Sequence, residues 1–156
     1  MTSTLQTVLE KHPFLEGIRG DLMAIMTGCA KNRRFEAGDY LTREEEDADR
    51  FFLLRTGRVA VRVRGSRAGG LTILTVSPGE MVGWSWLVAP HRYRFDSQAL
   101  EPTTAFELDG RCLRTKCEEN PELGYEILRR VSVALAQRLD AVQLQLLDVY
   151  WRGDES

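Results

Sequence analysis

The sequence predicts a mainly β fold, in the form of a barrel, roll or sandwich, with helical segments before and after it. Helical spacing of apolar residues ends near residue 30, and several short apolar or alternating segments follow between residues 33 and 108. A helical pattern without internal proline then runs from Pro121 to about Tyr150. Many short strands at regular spacing are typical of an all-β architecture, to which the flanking patterns add helices.

Residues 1–30 are predicted to form short N-terminal helices. A first apolar segment ends at His12 and Pro13, and apolar side chains then recur at helical spacing between Ile18 and Met26. Asp21 lies where the acidic first turn of that second helix is expected.

Residues 33–108 are predicted to hold the strands. The apolar run at residues 51–54 has strand length, and Val59, Val61 and Val63 are interleaved mainly with arginines, as in a strand with one face in water. The other predicted elements are strands at 35–41 (with an internal turn), 71–76, 95–100 and 104–108, a solvated loop at 43–50 and a hairpin loop at 65–70.

Residues 110–150 are predicted to form two C-terminal helices. Asp109 and Gly110 open a short helix over residues 111–118. Asn120 and Pro121 then mark the start of a long helix, because Asn is a preferred N-cap and Pro is favoured at the first helical position.

The long helix carries two apolar patterns. One is a heptad seam with Ser132 as its only polar member, and the other is a stripe of Ile127, Val131 and Ala134 that gives way to polar residues from Arg138 onward. A helix of about 30 residues is about 45 Å long and must overhang a domain about 30 Å across. The first half is therefore predicted to pack on its own domain and the second half on another copy. The predicted contacts of this homodimer are Leu128, Leu135, Leu139, Val142, Leu146 and Val149.

Composition and charge exclude several classes of protein. The chain has 156 residues, which suits a single domain over residues 1–156, and a net charge of −2, which gives no electrostatic drive toward nucleic acid. No apolar run approaches the ~20 residues that a membrane span needs. Two histidines are too few for a histidine-rich metal enzyme, and no nucleophile–base pair is visible. No catalytic residue, metal ligand or cofactor is therefore predicted.

The cysteines, Cys29, Cys112 and Cys117, are odd in number and form no CxxC pair. We interpret them as ordinary buried or half-buried thiols. Because disulfides are rare in the cytosol, this usage predicts a cytoplasmic protein.

Four short motifs follow one another through the predicted roll. They are GDYL at 38–41 with AD at 48–49, FLLRTGRVAV at 52–61, PGEMVG at 78–83 and ALEPT at 99–103. In this order they resemble the cyclic nucleotide-binding domain of the Crp/Fnr family, over roughly residues 8–150. The resemblance implies a double-stranded β-helix, or jelly roll, with glycines 38, 57, 79 and 83 at its turns and a long C-terminal dimerisation helix.

The resemblance also places the ligand site, in a phosphate-binding cassette after Gly83. In the family, a short helix presents backbone N–H groups to the cyclic phosphate, a glutamate accepts from the ribose 2′-OH and an arginine pairs with the phosphate. Here Trp84 occupies the glutamate position and Trp86 the following small position, and an indole cannot accept a hydrogen bond. Losing the glutamate, and the arginine in one alignment, would cost about 2–6 kcal/mol, or roughly 30- to 10⁴-fold in affinity. We therefore predict that cAMP and cGMP do not bind in the family's usual way.

The family's arginine position has two alignments in this chain. Counting forward from Leu87 places Arg94 there, whereas counting back from Ala99 places Tyr93 there. In the second alignment Asp96 falls where a small hydroxyl residue usually meets the phosphate, and an aspartate repels an anion unless it is itself paired. The sequence leaves both alignments open.

Residues 83–94, which we call the cassette segment, concentrate aromatic and cationic side chains. One interpretation is a pocket for a flat or anionic ligand that uses stacking and cation–π contacts. The other is that the tryptophans fill an abandoned pocket while the arginines are solvated. The candidate ligand-binding residues are Gly83, Trp84, Ser85, Trp86, Tyr93 and Arg94.

The resemblance implies a regulatory module, not an enzyme, in which ligand binding reorients the long helices. No helix-turn-helix or basic recognition helix follows the long helix before Ser156, so direct DNA binding is not expected. The output is expected to act on a separate protein partner, unless the sequence is a fragment of a longer chain. The alternative is a ligand-free roll used for docking, and a cupin-like metal enzyme is disfavoured by the histidine count.

Overall fold

Two four-stranded antiparallel sheets form a β-roll in the computed structural model of the chain, which describes residues 4–65 and 70–154. Helices lie before and after the roll in sequence, so the predicted jelly-roll fold with flanking helices is confirmed. Residues 66–69 of the predicted hairpin loop lie outside the described residues.

The helices agree closely with the sequence pattern. Asp109 caps the first C-terminal helix as predicted, because its carboxylate accepts from the backbone N–H groups of Arg111 and Cys112. The Asn120 side chain, by contrast, donates to Lys116 O of the preceding helix. The helices are α1 (Thr4–Leu9), α2 (Gly20–Thr27), α3 (Gly110–Glu119) and α4 (Pro121–Asp154), with 3₁₀ turns at Pro13–Leu15 and Trp84–Leu87.

The strands are β1 (Ala30–Phe35), β2 (Tyr40–Thr42), β3 (Arg50–Thr56), β4 (Val59–Val63), β5 (Leu71–Val76), β6 (Met81–Val82), β7 (Asp96–Ala99) and β8 (Thr103–Asp109). One sheet has the order β1-β8-β3-β6 and the other the order β2-β7-β4-β5. The sequence analysis missed β6, which has only two residues. The predicted solvated loop at residues 43–50 also differs in part, because Ala48 is fully buried.

The roll has an apolar core on each face of the β1-β8-β3-β6 sheet. Between the two sheets lie Phe35, Phe52, Leu54 and other buried side chains. The opposite face packs against the helices through Phe51, Leu53, Phe106 and Leu108. Side chains along β3 and β8 alternate between these two cores, which explains why residues 51–54 and 105–108 are all buried.

Gly57 forms a turn that no other residue would fit. Its φ is +93°, and a Cβ at this position would lie 2.2 Å from Thr103 Oγ1. The glycine thus allows the β3–β4 turn to pack directly on the start of β8.

The cysteine interpretation was wrong for two of the three residues. Cys29 and Cys112 form a disulfide, with their Cα atoms 5.8 Å apart, and Cys117 is a half-buried free thiol. The fold brings the pair together because Asp109, which caps α3, also donates its backbone N–H to Cys29 O at the start of β1. The sequence could not predict this pairing, because the two cysteines are 83 residues apart and nothing local brings them together.

Helix α4 has 34 residues and is about 51 Å long. Leu123, Ile127 and Val131 are at most 2% exposed and pack on the core, as predicted for the first half. Of the predicted seam, Leu135 is half-buried, whereas Leu128, Leu139, Val142, Leu146 and Val149 are exposed in the single chain.

Candidate functional site

The cassette segment begins with a left-handed turn at Gly83. Its φ is +88°, and a Cβ would lie 3.2 Å from Arg50 O and 3.4 Å from side-chain atoms of Thr42 and Tyr93. The chain then forms the 3₁₀ turn Trp84–Leu87 and a cis peptide bond before Pro90, and it enters β7 at Asp96. A glycine is required here because the turn is both left-handed and closely packed.

The cavity behind the cassette segment is very small, at about 20 Å³. Ligand pockets usually have about 300–1,000 Å³, while a single water needs about 10–15 Å³ by this type of measure. The space therefore suits about one water and not a nucleotide. Its lining residues are Thr42, Val61, Val82, Gly83, Trp84, Ser85, Tyr93, Arg94, Phe95, Ser97 and Arg138.

Tyr93 is the inward-pointing residue of the two candidates for the family's arginine position. Its hydroxyl donates to Arg50 O at 2.7 Å and accepts from Arg50 N at 3.0 Å. Burial raises the pKa of Tyr93 to about 12, so the phenol is neutral at pH 7. A neutral hydroxyl that is already hydrogen-bonded on both sides cannot replace an arginine opposite a phosphate.

Arg94 is exposed, and its guanidinium lies 5.3 Å from the centre of the Trp84 ring. This distance is within the range of a cation–π contact. The two side chains close one side of the small cavity, which both of them line.

Trp86 differs from the other five candidate residues because it does not line the cavity. Its side chain is fully buried and contacts Phe51, with ring centres 5.4 Å apart. The indole N–H has no hydrogen-bond partner within the described part of the chain. Trp86 thus belongs to the helix-facing core, where its backbone carbonyl accepts from Arg114 of α3.

Asp96, which one alignment placed near a phosphate, is paired. Arg64 donates two hydrogen bonds of 3.1 Å to its carboxylate, and Glu44 N donates a third at 2.7 Å. Burial opposes ionisation of Asp96, but these hydrogen bonds and the charges of Arg64 and Arg43 outweigh it and hold its pKa below the usual value. The carboxylate is therefore charged and neutralised within the roll.

Arg138 is the residue of this site that the sequence analysis missed. It comes from α4, lines the cavity behind the cassette segment and donates a hydrogen bond to Met81 O. Burial lowers the pKa of its guanidinium, and within residues 4–65 and 70–154 no carboxylate lies within 4.0 Å of it. The sequence did contain a sign that Arg138 is unusual, because it places a charge in line with the apolar stripe of Ile127, Val131 and Ala134.

Near its C-terminal end, α4 exposes further apolar side chains that do not belong to the seam. Leu144, Leu147 and Trp151 are 54–68% exposed and lie three and four residues apart on one face, which we call the outer stripe. Leu144 and Leu146 differ by two positions and so point about 200° apart. The predicted narrow seam was therefore an incomplete description of the second half of the helix.

Residues 4–65 and 70–154 contain neither a metal-binding cluster nor a membrane-spanning helix. No group of three or more His, Cys, Asp or Glu side chains is arranged to hold a metal ion. In the same residues, no helix is long and apolar enough to cross a membrane.

The known proteins that resemble this chain point to one family. The sequence profile described as "Cyclic nucleotide-binding domain" matches residues 32–120. The chain is 24% identical to the CRP-like cAMP-activated global transcriptional regulator of Mycobacterium tuberculosis over 93% of its own length and 63% of that protein. It is 29% identical to glutaminase 1 of Bradyrhizobium diazoefficiens over 85% of its own length but only 21% of the enzyme. The chain thus spans less than two thirds of either relative.

A solved structure with the same fold comes from Geobacter metallireducens GS-15 and is described as a cyclic nucleotide-binding protein. Its TM-score is 0.79 at 24% identity, over 88% of this chain and 99% of the other. At this identity the likeness concerns the fold alone.

Proposed function

This chain belongs to the cyclic nucleotide-binding domain family, and we propose that it is a regulatory domain whose usual nucleotide site has been closed. The observation that carries the proposal is the cavity of about 20 Å³ behind the cassette segment. Trp84 stands where the family's glutamate is expected, and Tyr93 is held by the backbone of Arg50. We therefore infer that cAMP and cGMP do not bind in the family's usual way.

We propose that the domain regulates and does not catalyse. Its sequence aligns with a transcriptional regulator over 93% of the chain, whereas the aligned part of the glutaminase is 21% of that enzyme. A shared non-catalytic domain explains both alignments. A cytoplasmic location is proposed from the likeness to a transcriptional regulator alone, because the Cys29–Cys112 disulfide removes the argument from free thiols.

We propose that the active form is a homodimer in which the seam of α4 contacts its copy. The support is the exposure of Leu139, Leu146 and Val149, which is 59–68% in the single chain. Three large apolar side chains at heptad spacing are more stable against a second helix than in water.

We propose further that the output reaches a separate protein partner through the outer stripe. A two-helix seam cannot cover Leu144, Leu147 and Trp151, because they point away from it. Direct DNA binding is not part of the proposal, because a net charge of −2 gives no electrostatic drive toward phosphates.

The test is a titration of the full chain with cAMP and cGMP, followed by NMR of backbone amides and tryptophan indoles. We expect no saturable shift of Gly83 or Trp84 up to millimolar nucleotide. Micromolar binding that shifts both signals would contradict the closed site. The amide signal of Gly110, a residue that packs on Trp86, is an internal reference. It would change if the nucleotide unfolded the protein instead of binding to it.

A ligand-free docking module is the second candidate. The closed cavity and the outer stripe favour it equally well, because neither of them requires a small molecule. The two candidates differ in one measurable property, since only the regulatory domain changes its stability when a small ligand is added.

A further inference from the structure

A much larger space lies on the other side of Arg138. It is a groove of about 650 Å³ between α4 and the roll, within the range of known ligand pockets. Arg138 lines both this groove and the closed cavity of the cassette segment. The guanidinium therefore separates a space that is too small for a nucleotide from one that is large enough for a small molecule.

Both walls of the groove include apolar side chains. Phe14, Ile73 and Leu74 come from the N-terminal turn and the roll, and Val133 and Ala134 come from α4. Val133 is 53% exposed in the single chain, although α4 buries its neighbour Val131. Apolar side chains on both walls favour a ligand with an apolar body.

The charges of the groove differ in how they are neutralised. Arg129 and Arg130 both pair with the carboxylate of Glu126. Arg138 has no such partner in the described part of the chain, although Glu80, also at the groove, attracts it from a greater distance. A half-buried guanidinium held by one backbone carbonyl keeps most of its donors available.

The remaining groups of the groove restrict the charge of a ligand. Glu16 and Glu80 line it as well as the arginines. These two carboxylates repel polyanions such as nucleoside polyphosphates, so the single available cation, Arg138, limits a ligand to one negative charge. A carboxylate is the group that a guanidinium binds through two parallel hydrogen bonds.

We propose that this groove binds an amphipathic carboxylate, with its head group on Arg138 and its apolar body between Val133, Leu74 and Phe14. The inference rests on the proposed regulatory function and names the chemical class of its ligand. Since one wall is α4 and the other is the roll, a bound molecule would fix the position of the helix relative to the roll. The groove residues of α4 share only Val142 with the predicted seam.

The probe is decanoate, titrated into the full chain by calorimetry and by NMR of the amides of Val133 and Arg138. We expect saturable binding of decanoate and none of decanol or decyltrimethylammonium, because both of these lack the carboxylate. Arg138→Gln should weaken decanoate binding by about 10- to 150-fold, which is the effect of one hydrogen-bonded charge. Arg58→Gln, at an exposed arginine of the roll outside the groove, is the matched control and should bind as the wild type does.

Two further variants separate loss of binding from loss of folding. Val133→Trp fills the groove at an exposed position without changing Arg138, and it should also abolish binding. Arg138→Met should melt no lower than the wild type, because it removes a buried charge and keeps the apolar stem. Equal decanoate affinity in wild type and Arg138→Gln, or no binding to the wild type at all, would overturn the inference. Failure of the closed-site proposal is distinct, because it appears as cAMP-dependent shifts at Gly83 and Trp84.

Discussion

The two halves of α4 have similar apolar content but opposite surroundings. In the first half, Leu123, Ile127 and Val131 are at most 2% exposed, whereas in the second half Leu139, Leu146 and Val149 are 59–68% exposed. The first half is stabilised by its own domain. The second half lacks a covering surface within the described part of the chain. A continuous helix can thus combine a structural segment with a contact segment, and the width of its apolar arc indicates where one changes into the other.

The largest expected effect concerns the uncovered half. Leu139→Glu combined with Leu146→Glu would place four carboxylates in the seam of a dimer, and each unpaired buried charge costs several kcal/mol. We expect a homogeneous monomer by sedimentation equilibrium, with unchanged circular dichroism. The control is Leu144→Glu with Leu147→Glu on the outer stripe, which should remain dimeric. A double seam variant that keeps the dimer mass would show that another surface holds the two copies together.

The second effect concerns the covered half. Ile127→Ala removes a fully buried side chain and should lower the free energy of unfolding by about 2–5 kcal/mol. Leu144→Ala, at a position that is 68% exposed and outside the seam, should change it by less than about 0.5 kcal/mol. Urea unfolding of both variants measures the difference. Equal losses at the two positions would mean that the halves are not distinct.

The third effect concerns the Cys29–Cys112 bond, which lies entirely in the packed region. Reduction by a dithiol should lower the free energy of unfolding by about 2–4 kcal/mol without changing the dimer mass. Cys29→Ser with Cys112→Ser should reproduce this loss, whereas Cys117→Ser should not. Alkylation of the native, unreduced protein should label Cys117 alone, and labelling of all three cysteines would argue against the bond.

The smallest effect is a pH dependence of the packed region. His12 Nδ1 accepts from Phe14 N and Nε2 donates to Leu54 O, so the ring is neutral in the folded state. Burial lowers the pKa of His12 below 6.5, and the charge of Arg55 acts in the same direction. The unfolded chain therefore binds the proton more readily, and stability falls as the pH drops below about 6.5, by at most about 1.4 kcal/mol per pH unit.

The measurement is the urea midpoint at pH 7.5 and pH 5.5. His12→Asn should lose part of its stability at both values but show a smaller difference between them. The fraction of dimer should not change over this range, since the seam residues carry no ionisable group. A wild-type midpoint that rises on acidification would contradict the assignment of His12.

Much of the fold was accessible from local patterns. The apolar run of β3, the alternation of β4 and the Asp109 cap each depend on neighbouring residues, and each was predicted within a few positions. Strand β6 was missed because two residues are too few for a period. The disulfide was missed because its two cysteines meet only through the pairing of β1 with β8 and the position of α3.

Five of the six residues predicted for the candidate site line its cavity, but the sequence did not predict how their side chains are arranged. The family resemblance predicts that Trp84 stands at the position of an acceptor, and this prediction does not depend on three-dimensional structure. Trp86 could not be assigned, because a short turn sends adjacent side chains to opposite sides. The role of Arg138 could not be predicted, because only the fold brings it close to the cassette segment, from which it is separated by more than 40 residues in sequence.

The bond between Cys29 and Cys112 also gives the roll a particular topology. All eight strands described here lie between these two cysteines, so the polypeptide from one to the other is a closed covalent ring. A single cut by a protease inside the ring, for example between β4 and β5, would leave both pieces attached. They would migrate together on a gel until a reductant was added, and α4 would then remain joined only to the piece that carries β5 to β8.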